Sequence, residues 1–238
     1  QGREFALAGG GQAVLAESSA CDRAAFVVAV DIEERGGRDL PVIRLASAIE
    51  PEWLIDLFPE RIEERSGVEW NRAAERVDGV EQMLYEGFAI EESRGKLPDP
   101  ELAAKLLAEK ARQAGLERFA HVEDIAQFFA RGALAATRGA CAPMSQEDAL
   151  VALDRIALGL RSFKDLGQRG VLAGLEELLG VRLDEVAPVR LRLPGGRNAK
   201  VEYAIGQSPW VMSRLQDFFG MKETPKIGGV PLVVHLLA

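Results

Sequence analysis

At Pro98 the apolar residues of this 238-residue chain change period, so the chain cannot be all-β or all-α. Before that point they come in short runs and alternations. Phe26 to Val30 is a Val-rich run that suits a buried strand, and Val42 to Ile49 is another strand candidate. Glu4 to Leu15 is strand-like but broken by Gly9-Gly10-Gly11, where the chain can bend sharply. Gly36-Gly37 and Arg38-Asp39 read as a turn. Pro51 to Arg65 reads as a helix with Pro51 at its first position and Trp53, Leu54, Leu57, Phe58 and Ile62 on one stripe. Ser66 to Trp70 is a short strand. Glu75 to Ser93 is a long or broken strand, with Asp78-Gly79 as a possible turn. Three strands, a helix and two strands is the order of a five-stranded OB-like barrel.

After Pro98 the signals are helical. Asp99 is a good N-cap, Pro100 suits the first helical position, and Gly115 stops the run. Val122 to Ala136 is a second helix through Ile125, Phe128 and Phe129. Ser145 and Asp148 form a capping box for a third, continued by Leu150, Leu153, Ala157 and Leu160. Val171 to Leu179, closed by Gly180, is a fourth. Beyond Val181 the pattern is mixed. Val189 to Leu193 alternates strictly, Pro194-Gly195-Gly196 turns it, and Ala199, Val201, Tyr203 and Ile205 alternate back. Setting Leu193 opposite Ala199 leaves a loop over 194–198 and places Arg192 against Lys200 and Arg190 against Glu202. Ser208-Pro209 then opens a helix with Val211, Met212, Leu215 and Phe218 inward, stopped by Gly220, and Val230 to Leu237 is a final strand. The expected class is α+β in three parts. These are an OB-like five-stranded β-barrel over 1–97, a helical connector over 98–181 and a small α+β domain over 182–238.

Charge is uneven. The net charge is −8, yet residues 186–238 hold seven basic residues against three acidic, leaving −12 for the rest. A basic segment on an acidic body points to an anionic partner for that segment. Its candidate contacts are Arg190, Arg192 and Lys200 on the strand pair, Arg197 in the loop and Arg214 on the following element. Two readings stay open: a phosphate-backbone contact, or the solvated polar face of a half-buried sheet. Trp210 either stacks a base or plugs the start of its element against the core. The first part offers a mixed surface instead, with Asp31, Glu33, Glu34 and Asp39 beside Arg35, Arg38 and Arg44.

Catalytic patterns are missing from the sequence. A phosphate-cradling loop needs Gly-x4-Gly-Lys-Ser/Thr, and neither Gly9-Gly10-Gly11 nor Gly95-Lys96 provides it. His121 and His235 have no closely spaced cysteine or histidine partners, so no metal is expected. Cys21 and Cys141 read as reduced thiols of a cytoplasmic protein. No apolar run is long enough for a transmembrane helix, so no membrane is expected among the partners. The chain opens on Gln1 with no basic-then-apolar leader, which predicts no secretory signal and a segment of a longer chain.

The last segment carries a recognisable set of residues. Leu193-Pro-Gly-Gly-Arg197, Val201-Glu-Tyr203, Ser208-Pro-Trp-Val-Met-Ser-Arg-Leu-Gln-Asp-Phe-Phe-Gly220, Thr224-Pro-Lys-Ile227 and Val230-Pro-Leu-Val-Val-His-Leu-Leu237 together resemble the C-terminal domain of HrpB-type helicases. Leu183 to Pro188 resembles the lead-in to that domain, and Val42 to Ala46 and Val68 to Trp70 resemble stretches of the family's OB region. The resemblance implies the accessory C-terminal part of a bacterial DExH-box ATP-dependent RNA helicase. Such a part performs no hydrolysis and needs no cofactor, because ATP and Mg²⁺ belong to the motor domains of the family, which this sequence lacks. The family pattern also runs on past Ala238. Implied partners are RNA or another single-stranded nucleic acid and the motor domains of the same chain. An interaction module for a protein partner, with no nucleic-acid role, is the alternative.

Overall fold

In the computed structural model of the chain, residues 3–8, 10–34, 40–95 and 99–237 are described. They form two compact units, 1–68 with 78–98, and 69–77 with 99–238. The expected turn at Gly36-Gly37 and Arg38-Asp39, together with Gly9, Arg35 and Lys96, lies outside the described residues.

The first unit begins with β1 (Glu4–Ala6), β2 (Gln12–Leu15), β3 (Phe26–Glu33) and β4 (Val42–Ile49). These pair in the order β1-β2-β4-β3, with β2 and β4 parallel and the other two pairs antiparallel. Ala13, Leu15 and Ile43 are buried on one face. Next come α1 (Pro51–Leu57), β5 (Ile62–Asn71), β6 (Arg76–Tyr85) and β7 (Phe88–Gly95). The last three form a second sheet in the order β5-β6-β7. The strands β1 to β7 therefore make two sheets, of four and three strands, and not one closed five-stranded barrel.

Two local expectations fail here for clear reasons. The helix expected to reach Arg65 ends at Leu57. Phe58 precedes Pro59, and a residue before proline is disfavoured in the α region. Ile62 consequently belongs to β5. The turn in the 75–93 stretch falls at Glu86-Gly87, both with positive φ (47° and 86°), as a tight hairpin turn requires. Asp78 and Gly79 lie inside β6.

The tip of the β5–β6 hairpin, Glu69–Val77, counts with the second unit. There Trp70 lies 4.9 Å ring to ring from Phe163, and the Val77 amide donates to the Arg161 carbonyl at 2.7 Å. The helices follow: α2 (Pro100–Ala114), α3 (Val122–Thr137), α4 (Gln146–Ile156), α5 (Phe163–Arg169), α6 (Val171–Leu179) and α7 (Leu183–Val186). The capping signals hold. The Asp99 carboxylate accepts from the Glu101 and Leu102 amides, Ser145 and Asp148 close a capping box, and Gly115 and Gly180 end α2 and α6 with positive φ. The third helix stops at Ile156, short of the expected Leu160, and α5 and α7 were not anticipated.

The terminal sheet comprises β8 (Arg190–Arg192), β9 (Asn198–Glu202), β10 (Trp210–Arg214) and β13 (Val233–Leu237), in the order β13-β10-β9-β8. A small ladder of β11 (Lys226–Ile227) and β12 (Val230–Pro231) lies between β10 and β13 in sequence. Ala199, Val201, Tyr203 and Val211 line its inner face, against Ala130 and Leu134 of α3. Among the described residues no helix is long and apolar enough to cross a membrane.

Candidate nucleic-acid interface

The sheet's faces are set by the two-residue period of its strands. Val211 and Ser213 are 0% exposed, so Trp210, Met212 and Arg214 point outward. Buried Ala199 and Val201 likewise put Asn198, Lys200 and Glu202 on the outer face, and half-buried Leu191 puts Arg190 and Arg192 there. The expected helix over 208–220 is thus a strand, β10, followed by a short 3-10 helix, Leu215–Phe218. The local Ser-Pro cap signal lost to two sheet neighbours: β10 pairs antiparallel with β9 and parallel with β13, which satisfies backbone groups that a short helix would leave open.

The β8–β9 register also differs from expectation. Arg190 stands opposite Lys200, Leu191 opposite Ala199 and Arg192 opposite Asn198. The Leu193 amide bonds the Arg197 carbonyl at 2.8 Å, so the loop is only Pro194-Gly195-Gly196. Gly196, at φ 86°, supplies the left-handed residue that a three-residue hairpin needs. The shift of two residues leaves the faces unchanged but moves Glu202 away from Arg190.

The five candidate cations divide into two kinds. Lys200 donates to the Glu202 carboxylate at 2.9 Å, and that hydrogen bond, then the carboxylate's charge, raises its ammonium above the ordinary lysine range. The pairing also relieves the like-charge contact of Lys200 with Arg190 across the strands. Arg197 lies 3.4 Å from the Asp217 carboxylate. Arg190, Arg192 and Arg214 are exposed, and their guanidinium groups have no acidic partner among the described residues. They are the cations of this face left open to an anion.

Asp217 was not singled out in the sequence, yet it organises one end of the face. Its carboxylate accepts from the buried Ser213 hydroxyl at 2.6 Å, from the Arg214 amide at 3.2 Å and from Arg197 at 3.4 Å. Its carbonyl accepts from the Gly195 amide at 3.1 Å, and a Cβ at position 195 would stand 3.0 Å from the Asp217 Cα. The Ser213 hydrogen bond is the main cause of its depressed pKa. A group whose pKa falls on folding adds stability above its unfolded value, near 3.9 for aspartate, and that stability is lost as pH drops through the folded value. The turn should therefore loosen only in acid, below about pH 4. An NMR titration of the side-chain carboxyl checks this: Ser213→Ala should move its midpoint upward, and an ordinary midpoint in the parent would refute it.

Gln127 and Arg131 of α3 are further residues the sequence did not flag. The Gln127 amide donates to the Tyr203 carbonyl and accepts from its N–H, both at 3.1 Å. Arg131 donates to the Ala187 carbonyl at 2.7 Å and pairs with Asp184. These contacts hold β9 and the lead-in 184–188 against the helix. Tyr203 donates to the Pro188 carbonyl at 2.7 Å, and burial pushes its hydroxyl pKa well above the ordinary value.

Elsewhere the chemistry is sparse. In the first unit a cleft of about 1110 Å³ is lined mainly by apolar residues, among them Phe5, Phe26, Phe58 and Phe88. On β3 and β4, Glu33 pairs with Arg44 at 2.8 Å, so that sheet offers mixed charge and no basic track. His121 stands at the N-cap position of α3 without a side-chain cap hydrogen bond, and His235 is exposed on β13. Both cysteines are free thiols.

Residues 153–238 match the family model described as ATP-dependent helicase C-terminal, HrpB_C. Two solved structures of Escherichia coli HrpB, titled as a DExH-box NTPase and as a DEAH/RHA helicase, align with 99% and 100% of this chain. Their TM-scores are both 0.53 and their identities 23% and 24%, a likeness of fold alone. The chain spans 31% of the length of each. No curated protein sequence matches it. Residues 153–238 are thus similar to the ATP-dependent helicase C-terminal family, and the chain as a whole shares its fold with the matching part of the Escherichia coli HrpB structures.

Proposed function

We propose that this region is a non-catalytic accessory part of an ATP-dependent RNA helicase, and that the outer face of its terminal sheet contacts the phosphate backbone of RNA. Arg190, Arg192 and Arg214 make the direct contacts, and Arg197 and Lys200 add positive potential from beside their acidic partners. The observation that carries this reading is the placement of three arginines, free of acidic partners among the described residues, on one face of one sheet. Arginine suits this role because its fork of donors matches phosphate oxygens. ATP and Mg²⁺ serve motor domains of the same chain, to which this region attaches, and the region takes no cofactor of its own.

Salt titration of binding to a single-stranded RNA tests the proposal. Three contacts on a single strand should give a slope of about −2 in log K against log salt, at roughly 0.7 per phosphate. A flat response, or no binding at low salt, would leave the protein-interaction alternative standing.

A further inference from the structure

We propose that the same face is a stacking platform for unpaired bases, with Trp210 as the residue against which a base lies. This rests on the phosphate-contact reading above and adds the form of nucleic acid recognised, a strand whose bases are free.

The argument is the division of the face across its four strands. Arg190 and Arg192 stand on β8, the strand at one edge. Toward the opposite edge the outer face turns apolar. Trp210 pairs with Val233 and Met212 with His235, both pairs on neighbouring strands β10 and β13. Met212 is 52% exposed and Val233 43% exposed, while Trp210 is half-buried on the outer side. Strands lie roughly 4.8 Å apart, so β8 and β10 are separated by about 10 Å. A nucleotide spans that distance from its phosphate to the far edge of its base. An anionic backbone along β8 therefore sets its bases over Trp210 and Met212.

Burial argues for this occupant over a duplex. A duplex hides the apolar faces of its bases in its own stack and would leave Met212 and Val233 against water or phosphate. An unpaired strand presents charge on one side and flat apolar rings on the other, matching the arginine edge at β8 and the apolar outer residues of β10 and β13 together. Arg214, four residues from Trp210 on the same side of β10, lies about 13 Å further along the strand, placed for a phosphate beyond the base over Met212. Stacking of this kind tolerates any base, because each has a π face.

The test compares three ligands on the 238-residue chain: an oligo(A) RNA, an abasic strand of equal length, and a blunt RNA duplex. The parent chain should bind oligo(A) roughly fivefold or more tighter than the abasic strand, the range expected for one stacked base. Trp210→Leu should erase that gap while leaving abasic binding unchanged, and Trp210→Phe, which keeps a ring and the strand pairing, should retain most of it. Equal binding of oligo(A) and abasic strand, with both falling in the Arg190→Ser/Arg192→Ser/Arg214→Ser variant, would overturn the platform and keep the phosphate contact. A gap that survives Trp210→Leu would place the stacking elsewhere and overturn the assignment to Trp210. Binding of none of the three ligands would overturn both.

Discussion

Arg190→Ser, Arg192→Ser and Arg214→Ser combined should cut the affinity for single-stranded RNA about a hundredfold near 0.1 M salt and hardly at all near 1 M. Neutralising three contacts removes about 2 from the salt slope, and that difference vanishes where counterion release no longer drives binding. The side chains are exposed and carry no ion pair among the described residues, so the substitution should leave the thermal unfolding midpoint nearly unchanged. Arg197→Ser is the informative contrast. Arg197 is shared with Asp217, so its loss should lower affinity less than loss of any one of the three. A triple variant with parental affinity at low salt would remove the basis of the nucleic-acid reading.

Ile156→Ala should destabilise the second unit by about 2–5 kcal/mol, the range for truncating a large buried aliphatic side chain. Ile156 is 2% exposed at the end of α4. Opposite it, α6 carries Gly174, and a Cβ built there would meet three Ile156 carbons at 3.2 Å. The helices have been brought close by removing a side chain from one and filling the space with the other's. Truncating Ile156 leaves a void facing Gly174, which has no side chain to fill it. Against the roughly 5–15 kcal/mol that holds a typical domain, such a loss is large. Urea unfolding followed by circular dichroism gives the number, and a cost under about 1 kcal/mol would show that the α4–α6 contact collapses to fill the gap.

Some features of this chain were legible because they are decided within a few residues. Asp99, Ser145, Gly115 and Gly180 each act on the backbone beside them, and each stands where the helix pattern placed it. The outward placement of Arg190, Arg192 and Lys200 was legible for the same kind of reason. Strand period assigns the face, and a register shift of two residues cannot change it. The pairing of Lys200 with Glu202 was within reach too, since residues two apart on a strand share a side.

What misled was locally plausible and distantly overruled. The apolar spacing of Val211, Met212, Leu215 and Phe218 fits a helix turn as well as a strand, and only the arrival of Val233–Leu237 beside it made β10 a strand. The order of elements before Pro98 suited a five-stranded barrel, but order says nothing of which strands share a sheet, and seven strands divided into two. Asp217 drew no attention because its partners Ser213, Arg197 and Gly195 converge only after the β8–β9 turn packs against the 3-10 helix.

The amino-acid sequence by itself determined the caps, the turn glycines, the alternation that turns the basic residues outward, and the family resemblance of the final segment. Those depend on backbone geometry and side-chain period, which act over a few residues. Tertiary structure alone decided which cations remain available. An arginine is free or neutralised according to whether a carboxylate from elsewhere in the chain comes within about 4 Å, and no local rule measures that distance.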